Sequence, residues 1–312
     1  MNPVIAILGP TSSGKSSLAL HLASRYGGEI VSCDSTAVYR GFDIGTDKVP
    51  VEEQHGIPHH LVDVADPCEE YSAARYARES TAVIHDIRAR GRWPILVGGT
   101  GFYYRALTRG LFPGPGRNEA LRRRLERVAE RRGVASLHRM VARHDPASGL
   151  RIQPRDLKRL VRALEVFYVT GKPLTDHFAE TVSPLEGVAI FSLALKPPMS
   201  EIAERVTRRV EAQFARGIVD EVRGLLARGV PEDAQPFKGL VYRQVLEWLH
   251  GVRDEATTRA LIVRENLRYA RRQLIWFRKE PNLVWFQGAG DEPATRAAVE
   301  EVLAARAQET LR

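Results

Sequence analysis

Short apolar runs rich in β-branched residues recur at 4–8, 29–33, 60–64, 94–97 and 188–195, and stretches with helical spacing of apolar residues lie between most of them. This alternation predicts a parallel sheet covered by helices on both faces, an α/β core. A further short run at 283–286 predicts an added edge strand, and the Ala-, Glu- and Arg-rich C-terminal stretch predicts a closing helix.

The alternation breaks after Leu111, where "FPGPG" sets Pro113, Gly114, Pro115 and Gly116 ahead of an Arg-rich helical segment over 118–132. It resumes only beyond "SPLEG" at 183–187, so the pattern predicts a core of 1–112 and 187–312 carrying a helical insertion over 113–186. Within the insertion, "PRDLKRLVRALEVFY" offers Pro154 as a helix-opening residue and puts Leu157, Leu160, Val161, Leu164 and Phe167 on one face. Arg155, Lys158, Arg159 and Arg162 gather on the opposite arc. After the sheet returns, a helix over 200–216 and its successor stop at Gly217 and Gly229. A longer helix over 254–279 carries "RYARRQLIWFRK"; its aromatics and arginines offer contacts to nucleic acid, whereas Leu267, Leu274, Ile275 and Phe277 predict packing on the core, the reading favoured here.

Composition sharpens the picture in three places. At 312 residues, 44% hydrophobic and 27% charged, the chain reads as folded, which excludes a disordered or fibrous class. No apolar run approaches the roughly 18 residues of a membrane-spanning helix, and Cys33 and Cys68 have neither metal-type spacing nor partners for a disulfide framework. A cytoplasmic protein with reduced thiols is expected. The net charge of +8 is local: residues 117–172 hold 15 Lys and Arg against 6 Asp and Glu, while the rest is balanced at 31 against 32. Such a segment suits a polyanion, although its cationic stripe also reads as a solvated helix face.

The chemistry begins at "GPTSSGKS". Gly9, Gly14, Lys15 and Ser16 satisfy the P-loop pattern with a strand before and a helix after. Backbone N–H groups along Gly9, Pro10, Thr11, Ser12, Ser13 and Gly14 (Pro10 excepted), the helix dipole and Lys15 favour phosphate, and the Ser16 hydroxyl can hold Mg²⁺. A nucleotide hydrolase would next need an acidic residue at the end of a later strand, yet "PILVGGTG" ends in Gly98, Gly99 and Thr100. The acid comes early instead, as Asp34 at the carboxyl end of the second strand, where parallel strands share one crevice. A carboxylate there can orient a nucleophile and take its proton, or cap a helix, or assist Mg²⁺ from its outer shell. Thr100 reads as a hydrogen-bond donor to a substrate oxygen or as a turn residue. These residues describe group transfer from a phosphorylated small molecule, and two classes remain: a small-molecule or nucleotide kinase using ATP, or a transferase acting on nucleic acid.

Several stretches together resemble the tRNA dimethylallyltransferase family, also called tRNA isopentenyltransferases. They are "GPTSSGKS", "DSTAVYRGFDIGTDK" (34–48), "HHLVDVADP" (59–67), "PILVGGTGFYYRALTRGL" (94–111), "RDLKRLVRALEVFYVTGKPLT" (155–175) and "RRQLIWFRK" (271–279), in family order over nearly the whole chain. The resemblance implies a P-loop NTPase-like core that binds dimethylallyl diphosphate, with Mg²⁺, and prenylates N6 of the adenosine 3′ of a tRNA anticodon. It implies that Asp34 is the general base, that Thr100 hydrogen-bonds the diphosphate, that Arg209 is a second cationic ligand, and that Arg122 serves activity or tRNA contact. It further implies tRNA contacts along Asp34, Ser35, Thr36 and Ala37, along Lys158, Arg159, Leu160, Val161 and Arg162, and along Lys238, Gly239, Leu240, Val241, Tyr242 and Arg243. Ala37 stands where the family often has Gln, Ser16 where Thr is commoner, and Val241 where a Gly usually precedes the Tyr-Arg pair. A monomer is the default expectation.

Overall fold

The apolar run Val4–Leu8 forms β1, and every one of its side chains is buried. In a computed structural model, which describes residues 2–112 and 114–310, β1 is followed by α1 (Lys15–Tyr26), β2 (Gly28–Ser32), β3 (His59–His60), α2 (Ala73–Ala89), β4 (Trp93–Gly98) and α3 (Gly101–Arg109). Five helices come next: α4 (Glu119–Arg132), α5 (Val134–His144), α6 (Pro146–Arg151), α7 (Leu157–Thr170) and α8 (Leu174–Phe178). The chain then runs through β5 (Ile190–Leu195), α9 (Met199–Ala215), α10 (Ile218–Ala227), α11 (Tyr242–Leu249), α12 (Glu255–Phe277), β6 (Val284–Phe286) and α13 (Pro293–Thr310).

Two compact units result, one of Met1–Leu107 with Gly187–Arg312 and the other of Thr108–Glu186. Pro113, the first proline of "FPGPG", lies outside the described residues.

In the first unit the described strands form a six-stranded sheet in the order β3-β2-β4-β1-β5-β6, with every pairing parallel. β1 sits between β4 and β5, and the chain leaves it for β2 on one side and reaches β5 on the other. That reversal opens a crevice at the carboxyl ends of the strands, where ligands of such sheets bind. Ile5, Ile7, Ile30, Ile95, Leu193 and Leu195 from four strands pack with Leu18 and Leu22 of α1 and Val299 of α13 into one apolar layer.

The run 60–64 does not continue as a strand. Pairing with β2 ends at His60, because Leu61 and Asp63 take positive φ values of 61° and 57° and turn the chain out of extended geometry. On α12, Leu274 and Phe277 are buried as expected, but Ile275 is 55% exposed.

The second unit closes its own core from Leu125, Leu137, Val141, Leu160, Val161 and Leu164. Pro154 does not open α7. The helix begins at Leu157 behind Asp156, whose side chain accepts the Arg159 N–H and so satisfies one of the free donors of the first turn. A buried carboxylate, Glu165, lies within this unit; it accepts both Nε and Nη2 of Arg122 at 2.8 Å, Nη1 of Arg162 at 2.6 Å and the Asn118 N–H at 2.7 Å. Those donors hold its carboxyl at about 2 against the opposing effect of burial.

Candidate active site

The loop 9–14 leaves β1 and turns into α1 through Gly14, whose φ of 80° only glycine adopts without strain. The first N–H groups of α1 therefore face the crevice at the positive end of the helix. Ser13 Oγ donates to Pro10 O at 2.8 Å, which braces the loop from within. Ser12, at a φ of 60°, holds its hydroxyl buried with no hydrogen-bond partner among the described residues. An orphaned donor inside an anion-binding loop is what a bound phosphate oxygen would satisfy.

Lys15 donates to Pro10 O at 2.6 Å and keeps its other protons for a ligand. Its pKa falls from 10.5 to about 7, chiefly because it is enclosed and then because Arg209 adds positive charge nearby; Asp34 opposes the shift. Such an ammonium gains by meeting an anion. Arg209, on α9, donates to Thr11 Oγ1 at 2.8 Å and pairs with Asp47, which also faces Arg216 at 3.7 Å. The second cation implied by the resemblance thus reaches the P-loop, held there by a carboxylate that sequence reasoning passed over.

Asp34 follows β2. Its Oδ1 accepts Thr36 N–H at 2.8 Å, Thr36 Oγ1 at 2.9 Å and Ala37 N–H at 3.3 Å, while Oδ2 has no hydrogen-bond partner among the described residues. The capping and the chemical readings of this residue are therefore carried by different oxygens. Thr100, beyond β4, accepts the Ser35 N–H at 3.1 Å, so the turns after β2 and β4 are joined at the same place. Tyr269 of α12 lines the same crevice, and burial, followed by the charge of Asp34, pushes its phenol up.

All of these groups line one cavity of about 1190 Å³ within the first unit, from Thr11–Ser16 past Asp34 and Thr100 to Arg209 and Tyr269. Ligand pockets commonly span roughly 300–1,000 Å³, so this one has room for more than a diphosphate. Gln273 of α12 closes the wall between the two turns. Its Oε1 accepts Thr11 N–H at 2.8 Å and its Nε2 donates to Gly99 O at 3.0 Å. A side chain at Gly99 would collide with that amide, which explains glycine there. Gln273 lies in the matched stretch 271–279 and Tyr269 just before it, but the sequence assigns neither of them a place beside the phosphate loop.

The implied RNA-contacting stretches divide by burial. Lys238 and Arg243 are exposed and line the cavity, whereas Val241 and Tyr242 are in the core. Tyr242 donates to Glu221 at 2.6 Å and accepts Gly45 N–H at 3.0 Å, and its ring meets Phe42 edge-on at 4.8 Å, so it secures the loop that bears Asp47. Val241 keeps a φ of 72° although β-branched, a strained conformation. In the second unit Lys158 and Arg159 are exposed, but Leu160 and Val161 belong to its core. Arg122 and Arg162 are engaged by Glu165 and do not line the cavity.

Among the described residues no group of three or more His, Cys, Asp or Glu side chains converges to hold a metal. The exposed Ser16 at the cavity wall nonetheless suits a Mg²⁺ that takes most of its ligands from substrate oxygens and water.

Comparison with known proteins agrees with this geometry. A family model described as IPP transferase matches residues 37–280. The chain is 45% identical to a tRNA dimethylallyltransferase of Solibacter usitatus, over 94% of this chain and 95% of that one. A tRNA dimethylallyltransferase of Geobacter sulfurreducens is 43% identical over 91% of both. Among solved structures, the full-length tRNA isopentenylpyrophosphate transferase of Bacillus halodurans superposes with a TM-score of 0.74 at 33% identity, covering 99% of this chain and 98% of that one. A phosphate-binding loop, a strand-end carboxylate and a match of this extent lead to one conclusion: the chain belongs to the IPP transferase family, on a P-loop NTPase-like fold.

Proposed function

We infer that the protein transfers the dimethylallyl group of dimethylallyl diphosphate to N6 of the adenosine immediately 3′ of a tRNA anticodon, releasing diphosphate. The observation that carries this reading is the single cavity in which the loop with Lys15 and Arg209 faces the free Oδ2 of Asp34. The family relationship supports prenyl transfer over the kinase alternative.

Breaking an allylic C–O bond needs its departing oxygens neutralised. The N-terminal amides of α1, Lys15, Arg209 and the unpartnered Ser12 hydroxyl provide that in an enclosed site. Thr11 N–H is committed to Gln273 and Ser13 Oγ to Pro10, so these two donors shape the cradle rather than bind the anion. Ser16 would hold Mg²⁺ brought in with the diphosphate, which adds further neutralisation of the leaving group. Thr100 donates toward the oxygen between the prenyl carbon and phosphorus.

The nucleophile is a poor one, since the N6 lone pair is delocalised into the purine. Holding it against the allylic carbon contributes on the order of 7–11 kcal/mol in favourable cases. Asp34 Oδ2 accepts the N6 proton as the new C–N bond forms, a gain of roughly 10² to 10⁴-fold for a placed base. Oδ1 stays fixed by the Thr36 and Ala37 N–H groups, so the carboxylate cannot rotate away.

The RNA grip is assigned to exposed cations: Lys238 and Arg243 at the cavity, Lys158 and Arg159 on the second unit. We assign Arg122 and Arg162 to the integrity of that unit through Glu165. No helix among the described residues is long and apolar enough to cross a membrane, and a monomer acting in the cytoplasm is the proposed setting.

The test incubates the protein with radiolabelled dimethylallyl diphosphate and unmodified tRNA, with ATP and candidate small acceptors in parallel. Label in the tRNA at the adenosine beside the anticodon supports this function. Phosphate transfer from ATP to a small acceptor without tRNA labelling would replace it with the kinase.

A further inference from the structure

Phe102 is the second residue of α3, directly after the turn that carries Thr100. It lines the cavity, yet 54% of it is exposed, and it has no ring partner among the described residues. A single exposed aromatic is ordinary on a protein surface, but one on the wall of a polar cavity offers an open face on which a flat ring can stack.

The neighbours on the cavity wall indicate what that is. Arg272, Lys238 and Arg243 line the same cavity, are exposed, and have no carboxylate within ion-pair distance among the described residues. Elsewhere in the first unit the arginines beside the cavity are paired, as Arg209 and Arg216 are with Asp47. Arg272 lies 5.7 Å from the Tyr269 ring and keeps its planar guanidinium available. Unpaired cations around an open aromatic ring form the combination that takes single-stranded nucleic acid, with phosphates on the cations and a base on the ring.

We propose that Phe102 is a stacking platform for the base next to the extruded adenosine, with Arg272 holding the phosphate beside it. This rests on the tRNA-prenylating function above. An adenosine that leaves its stack to reach Asp34 exposes the face of its neighbour, and Phe102 replaces the lost contact. The dimethylallyl chain has a different place, because buried Ile30 with half-buried Val62 and Val97 gives the cavity an apolar lining of its own.

The experiment measures steady-state prenylation by wild type, Phe102→Ala, Phe102→Tyr and Arg272→Ala, with an anticodon stem-loop and dimethylallyl diphosphate varied separately. In parallel, 2-aminopurine replaces each base flanking the target adenosine, and its fluorescence is followed on binding. Phe102→Ala should raise KM for the stem-loop roughly 10- to 100-fold, leave KM for dimethylallyl diphosphate unchanged, and abolish the fluorescence change at one flanking base. Phe102→Tyr should restore both, and Arg272→Ala should raise KM for the stem-loop and reduce its salt dependence. Wild-type KM values in Phe102→Ala, or a rise confined to dimethylallyl diphosphate, would overturn the proposal while leaving the reaction established by the wild-type control. No labelling by wild type would overturn the function itself.

Discussion

Gln273 and Thr11 meet across 262 residues of sequence, the amide oxygen of one accepting the backbone N–H of the other at 2.8 Å. Because the same amide donates to Gly99 O, the phosphate loop and the turn leading to Thr100 are held at a fixed spacing. Gln273→Leu leaves both backbone groups unpaired at a cost of roughly 1–3 kcal/mol each. The expected outcome is a lower melting temperature and a fall in kcat/KM for both substrates of about tenfold or more, measured by thermal unfolding and steady-state kinetics. Unchanged kinetics would show that the spacing is set elsewhere.

Lys15 makes substrate binding depend on pH. Its pKa of about 7 in the free protein lies below the 10.5 of an ordinary lysine, so between these values the unfolded chain holds more protons than the folded one. Stability of the free protein should then rise from pH 7 toward pH 10, and Lys15→Met should flatten that rise. A diphosphate beside Lys15 raises its pKa again, so binding above pH 7 takes up a proton. Calorimetry in buffers of different ionisation enthalpy checks this; proton release in place of uptake contradicts it.

Charge reversal separates the two kinds of arginine in the second unit. Lys158→Glu with Arg159→Glu, both exposed, should raise KM for tRNA and shrink the slope of log KM against log salt, with folding intact. Arg162→Glu should instead unfold or destabilise the protein by about 3–5 kcal/mol, since it places a carboxylate against buried Glu165. Equal effects from both variants would remove the distinction.

How much of this was legible in the sequence depended on how local each signal is. The P-loop declares itself because glycine, lysine and hydroxyl must follow one strand at fixed spacing, and Asp34 because a parallel sheet gathers its strand ends. β3 was overextended, since an apolar run says nothing of the left-handed turn at Leu61 that ends it. The stretch 268–279 stands out in the sequence, but the roles of Gln273 and Tyr269 do not: each belongs to the site only because α12 returns to sheet loops far earlier in the chain. The cationic arc 155–162 was visible as a pattern, but the sequence could not say that Glu165, one turn from Arg162, claims Arg162 and Arg122 together.

In the proposed reaction Asp34 does chemistry with Oδ2 while Oδ1 holds the turn. Asp34→Asn separates the two, because an amide oxygen can still accept the Thr36 and Ala37 N–H groups but cannot take a proton from N6. Single-turnover prenylation by this variant should be slower by roughly 10² to 10⁴-fold, with dimethylallyl diphosphate affinity and melting temperature close to wild type. A variant that transfers the prenyl group at the wild-type rate would show that Asp34 is not the base.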